Sequence, residues 1–170
     1  TESDSHKSLP IINHELERLN DTELYPFRRL IEEGLGSMMI AHLFIPSLDS
    51  TPNQASTLSK PIVTGLLKRE MGFEGLIFTD ALNMKGVSAY FEPGVVDVRA
   101  LLAGNDVLLF SEDVPTAMKE IKKAIELGQI TQSEIDARCR KILVAKQWVG
   151  LDKYKPIELK NLYQDRNKPE

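Results

Sequence analysis

Three short apolar runs punctuate the chain, at residues 37–43, 76–78 and 107–110, and the stretches between them carry apolar residues at helical spacing. A short run without polar alternation is the pattern of a strand covered on both faces, as in a parallel sheet. Leu24, Phe27, Leu30 and Ile31 form the first helical stripe, with Asp21 or Thr22 as N-cap, Glu23 in the first turn and Gly34 as the stop. Ser59 caps the next helix, which has Pro61 in its first turn, a stripe of Ile62, Leu66, Leu67 and Met71, and Gly72 as its end. A short helix over residues 97–103 ends at Gly104, and one capped by Asp113 ends at Gly128. Thr131 with Glu134 fits a capping box for the last helix. Its stripe of Ile135, Cys139, Ile142, Leu143 and Val149 is expected to be buried, and Gly150 stops it. Residues 1–20, 44–57 and 83–96 read as loops. The order is helix, strand, helix, strand, helix, strand, helix, helix, which means parallel βαβ units in an α/β fold. Residues 1–150 form this unit, and residues 151–170, charged and with two prolines, read as a linker or tail towards a following domain.

At 170 residues the chain can build one domain with a real core. Its net charge of −4, with both signs mixed along the sequence, excludes the basic footprint of a nucleic-acid binder. No apolar run approaches the roughly 18 residues of a membrane span. One cysteine, Cys139, rules out an internal disulfide framework and leaves the compartment, cytoplasmic or periplasmic, open. Its place on the apolar stripe predicts a buried structural thiol. Three histidines and several acids raise the question of a metal, but no zinc-ligand spacing such as His-x3-His occurs, so neither metal nor cofactor is expected.

Candidate chemistry centres on residues 74–86, Glu-Gly-Leu-Ile-Phe-Thr-Asp-Ala-Leu-Asn-Met-Lys-Gly. The apolar run of Leu76, Ile77 and Phe78 stops at Thr79 and Asp80. A carboxylate at the carboxyl end of a parallel strand sits where α/β folds place their ligands. The alternative, on spacing alone, is that Asp80 caps the following turn. His42 lies near the end of the first run, at the same mouth; there it either contacts a substrate hydroxyl or is a satisfied core histidine. His14 reads as a surface residue. His6 follows Asp4 and Ser5 in a polar loop, where an imidazole with no further argument is simply solvated.

Two segments resemble glycoside hydrolase family 3: residues 78–86, Phe-Thr-Asp-Ala-Leu-Asn-Met-Lys-Gly, and Asp4-Ser5-His6 followed by Leu9-Pro10. The second is similar to the Asp-Ser-His loop of the family's β-N-acetylglucosaminidase branch, which other branches lack. The resemblance covers the chain from Asp4 to about Tyr154, and it implies a partial (β/α)8 barrel, roughly the last three strands with their helices. A complete barrel typically takes about 250 residues; an open three-stranded α/β unit is the alternative. The resemblance further implies Asp80 as the nucleophile that attacks the anomeric carbon, His6 as proton donor and Asp4 as its partner. The implied substrate is a terminal β-linked N-acetylglucosamine unit of cell-wall or chitin-type fragments. The implied partner is the remainder of the barrel, because the family's Lys-His-Phe-Pro-Gly segment, which should precede Asp4, is not in the chain. Activity is therefore expected of a longer protein rather than of these 170 residues alone. Two rivals remain open: phosphorolysis, since an imidazole donor does not repel an incoming phosphate, and a non-catalytic carbohydrate-binding relic.

Overall fold

Strands β1 (Ser37–Ile40), β2 (Leu76–Ala81) and β3 (Val107–Leu109) form one parallel sheet in the order β1-β2-β3. This is a computed structural model, and it describes Asp4, residues 7–156, Lys160 and Tyr163. Before β1 come α1 (Leu16–Arg18), which widens through Leu19–Glu23, and α2 (Tyr25–Glu32). A ten-residue helix, Pro61–Glu70, leads to β2. It is wound more loosely than an α-helix, and at its end the Met71 N–H reaches the Leu66 carbonyl, five residues back, at 2.9 Å. Ser59 accepts the Ile62 N–H at 3.2 Å, the cap expected of it. Helices α3 (Lys85–Ser88) and α4 (Val95–Ala103) connect β2 to β3, and α5 (Val114–Glu126) and α6 (Gln132–Trp148) follow. Asp113 and the Thr131–Glu134 pair cap α5 and α6 as the sequence predicts. The first helical segment instead runs without a side-chain cap at Asp21 or Thr22, since the chain is already helical from Leu16.

Spatial order equals chain order, and one face of the sheet carries the helices. Ile77 and Thr79 of β2 are fully buried. Met38 and Ile40 of β1 join Ile77 in a cluster with Val63, Leu67, Phe73 and Ala103. On the other face Leu76, Phe78 and Val107 line a groove of about 640 Å³ together with Ile142, Ala145 and Trp148 of α6. Met39, on that face, is 53% exposed. Helices on one face with parallel neighbours in sequence order are the local geometry of a barrel segment.

Helix α6 crosses the amino ends of the strands. At one end Arg138 donates to the carbonyls of Asn105 (2.9 Å) and Leu101 (2.8 Å). At the other, the Trp148 ring lies 3.3 Å from where a Cβ on Gly36 would stand, so Gly36 makes room for the indole. The face that docks is that of Arg138, Lys141, Ile142 and Ala145. Cys139 and Leu143 lie round the helix and are exposed. The expectation of a buried thiol is thus corrected: Arg138 and Lys141 help seat α6, and of its apolar stripe Ile135 and Ile142 face inward while Cys139, Leu143 and Val149 do not.

Asp106 is the fastening at the root of the sheet. Its side chain accepts the Ile77 N–H at 2.9 Å, and its own N–H donates to the Ile77 carbonyl at 2.8 Å. Lys141 reaches the carboxylate at 2.6 Å and Lys68 at 3.7 Å. One buried carboxylate therefore joins β2, α6 and the Pro61–Glu70 helix. Burial lowers the Lys68 pKa, with Lys141 and Arg138 adding to the effect and Asp106 opposing it. Asp106→Ala would strand a backbone N–H and two ammonium groups, and is expected to lower unfolding free energy by about 2–4 kcal/mol. Asp106→Asn, which keeps an acceptor for Ile77, should lose about half as much. Urea unfolding midpoints of the two variants check the order.

Candidate active site

The sequence around Asp80 folds into a strand end that is irregular by design of its pairing. Phe78 pairs with Val107 and Ala81 with Leu109, so β2 carries one more residue than β3 over this interval. Such a bulge bends the strand and re-aims a side chain. Thr79 closes the gap: its buried hydroxyl oxygen accepts the Leu109 N–H at 2.8 Å. Beyond the bulge the Leu82 N–H donates to the Leu109 carbonyl at 2.9 Å. Asp80 itself is half-buried on the open face, and its Oδ1 accepts the Ala81 N–H at 2.7 Å. It does not cap α3, whose N-cap position is Met84 with no side-chain bond.

Past Asp80 the chain alternates. Leu82, Met84 and Val87 are buried, while Asn83 and Lys85 face solvent. Leu82 and Val87 share their cluster with Leu9, Ala55, Leu58, Val96 and Ala100. Leu9 is the root of the loop that begins at Asp4. The Asp4 carbonyl accepts the N–H groups of Lys7 (2.9 Å) and Ser8 (3.1 Å), closing a turn. Just after it, Pro10 accepts the Phe44 N–H at 2.9 Å and Ile12 donates to the Phe44 carbonyl at 2.8 Å, beyond the carboxyl end of β1. The loop is thereby rooted at the same mouth as Asp80. Asp4 is exposed. His6 and Ser5 lie outside the described residues, so of the three residues expected to carry chemistry the structure places Asp80 and Asp4.

His42 is where the structure departs from a substrate contact. It is fully buried. Its Nε2 lies 3.0 Å from the Ala81 carbonyl and its Nδ1 2.7 Å from the Thr57 hydroxyl. A carbonyl only accepts, so Nε2 carries the hydrogen. Burial pushes the His42 pKa below 6.5, against smaller upward pulls from the Ala81 contact and the Asp80 charge. In the neutral ring Nδ1 is the acceptor facing the Thr57 hydroxyl, whose single proton is shared between Nδ1 and the Ala41 carbonyl at 2.8 Å. Both nitrogens are committed, and no polar atom remains for a sugar hydroxyl. Of the two alternatives left open for His42, these contacts are those of a satisfied core histidine, and through the Ala81 carbonyl the ring is bonded to the residue next to Asp80. Thr57, which holds His42, carries no signal in the sequence, being one of several hydroxyl residues in a loop. His14 lies half-exposed, 3.9 Å from Glu23. Among the described residues no three His, Cys, Asp or Glu side chains are grouped as metal ligands.

Residues 1–145 match the model of the glycosyl hydrolase family 3 N-terminal domain. The chain belongs to glycosyl hydrolase family 3. Among curated family 3 relatives, the chain is 28% identical over 165 residues to a β-hexosaminidase A of Pseudoalteromonas piscicida, covering 86% of this chain and 28% of that protein. It is 37% identical over 108 residues to a β-hexosaminidase of Chromobacterium violaceum, covering 64% of this chain and 29% of that one. Among solved structures, a family 3 β-N-acetylglucosaminidase from Paenibacillus sp. str. FPU-7 superposes with a TM-score of 0.87 at 34% identity, over 92% of this chain and 30% of that chain. A β-glucoside phosphorylase superposes with a TM-score of 0.83 at 25% identity, over 89% of this chain and 29% of that chain. The family 3 unit described here thus spans under a third of the length of each of these proteins.

The buried histidine gives this family 3 chain a pH signature. Folded, His42 resists protonation; unfolded, it titrates at its ordinary value near 6.5. Below that pH the unfolded chain binds the extra proton, so stability falls as pH drops through 6.5 and is unaffected by this group above it. His42→Gln keeps a donor for Ala81 but cannot titrate. Urea unfolding between pH 7.5 and about 5 should show a shallower loss in the variant than in the wild type, by up to one proton.

Proposed function

We propose that this chain supplies the nucleophile and the proton donor of a retaining β-N-acetylglucosaminidase, as the carboxyl-terminal part of its catalytic barrel. The observation that carries the reading is the packing of Leu9 into the cluster of Leu82 and Val87, which roots the Asp4 loop beside Asp80. The β-hexosaminidase relatives support the substrate class. In this reading the Asp80 carboxylate attacks the anomeric carbon as the bond to the leaving oxygen breaks. His6 gives that oxygen its proton, with Asp4 accepting the other ring N–H and fixing the tautomer. Water then attacks the glycosyl–Asp80 ester, His6 takes its proton, and two inversions retain the configuration. The bulge at Thr79 and the amide of Ala81 hold the carboxylate in one orientation, which is what in-line attack requires. The substrate is a terminal β-linked N-acetylglucosamine unit of cell-wall or chitin-type fragments. In this reading the open groove of Leu76, Phe78 and Val107 is covered by further α/β units of the same barrel.

A second reading draws on the phosphorylase neighbour. A neutral imidazole, unlike a carboxylate, leaves room for an incoming phosphate at the ester. Product analysis of the full-length protein separates the two: sugar 1-phosphate made only when phosphate is present supports phosphorolysis, and free sugar in both conditions supports hydrolysis.

With Asp80→Asn in the full-length protein, turnover should fall by several orders of magnitude with the melting temperature little changed. A slow fluorinated N-acetylglucosaminide should label the peptide that contains Asp80, and labelling of another carboxylate removes the assignment. His6→Ala should lose about 10²–10⁴-fold on aryl glycosides with poor leaving groups and much less on activated ones. A uniform loss across the leaving-group series would take His6 out of the acid role.

A further inference from the structure

Phe110 follows β3 with φ at +52° and with 70% of its surface exposed. A bulky side chain rarely adopts this left-handed conformation, and a strained residue persists only where its surroundings hold it. Here they do. Before it, the Leu109 N–H is bonded to Thr79 and the Leu109 carbonyl to Leu82. After it, the Ser111 hydroxyl donates to Asp97, a fully buried carboxylate that also accepts the Gly94 N–H at 3.2 Å. Had β3 continued in extended form, residue 110 would have followed Leu108 towards the helix layer, where Leu108 packs among Val98 and Ile121. The left-handed turn takes the ring out of that layer and leaves it in solvent at the mouth.

Its height there can be read from the pairing. Leu109 is level with Ala81, so Phe110 stands beyond Asp80 in the strand direction, by under about 7 Å because the bulge crowds an extra β2 residue into the interval. That is about one sugar ring out from the anomeric carbon that Asp80 would attack. We propose that Phe110 is a specificity-determining residue for the leaving-group side of the substrate, its ring face receiving the apolar C–H face of the departing pyranose. Thr79 serves both sides of this arrangement, since it sits next to Asp80 and fixes the residue before Phe110. The inference rests on the reading of Asp80 as nucleophile.

The test compares two substrates in the full-length protein: the β-1,4-linked disaccharide of N-acetylglucosamine, and N-acetylglucosaminyl fluoride, whose leaving atom is too small to reach the ring. Phe110→Gly removes the ring and adopts positive φ freely, so folding is not the obstacle. It is expected to raise KM for the disaccharide about tenfold more than for the fluoride, the size of one aromatic contact. Phe110→Tyr keeps a ring face and should restore the disaccharide KM. Equal losses on both substrates, or an unchanged disaccharide KM with a lowered melting temperature, would overturn the inference and make the ring a packing element. A wild-type protein that turns over neither substrate would instead overturn the reading of Asp80, and the platform with it.

Discussion

Burying His42 without a charge is the constraint to which the mouth of the sheet is built. An imidazole out of water must find a partner for each nitrogen. Ala81 and Thr57 are those partners. Thr57 is in turn held from behind, because the Asn105 side chain donates to its carbonyl at 2.8 Å and to that of Ala100 at 2.7 Å. One hydrogen-bonded chain therefore runs from the turn between α4 and β3, through the loop after β1, to the residue next to Asp80. Removing any link would leave a buried polar group unpaired, so the three segments keep one geometry.

The two ends of β2 are secured by different chemistry. At the amino end Asp106 uses charge, drawing in Lys141 and Lys68. At the carboxyl end the contacts are neutral: the His42 ring, the Thr79 hydroxyl and the Leu9–Leu82 packing. The division suits the proposed reading, in which the Asp80 carboxylate is the attacking group. A fixed ammonium beside Asp80 would pair with it and weaken it as a nucleophile, whereas a neutral imidazole fixes the backbone and leaves the carboxylate unpaired by that ring.

Much of this was legible in the sequence because much of it is local. The caps at Ser59, Asp113 and Thr131 are decided within four residues, and each formed. The three apolar runs became the three strands, and the alternation of elements made the sheet parallel. What failed were statements about which side of an element another element covers. The apolar stripe of α2 forms as spaced, but nothing in its spacing says how far it is covered: Phe27 and Leu30 are 43% and 49% exposed. Helix α6 turned its Arg138 face inward and left Cys139 outside. Periodicity gives a stripe but not its partner. The role of His42 was undecided for a related reason: its partners lie 15 and 39 residues away, in a loop and a strand end with no pattern of their own. Phe110 gave no sign, since a backbone dihedral forced by bonds to Thr79 and Asp97 cannot be seen in a string of apolar letters.

The placing of Trp148 against Gly36 has an optical consequence. It is the chain's single tryptophan, it lines the open groove, and 77% of it is in water. Its emission therefore reports on the groove rather than on the core. A surface laid over Leu76, Phe78 and Val107 would shield the indole and move its fluorescence to shorter wavelength, while loss of the Ile77 cluster alone would leave it almost silent. The molecule carries its own dye at a face it leaves uncovered.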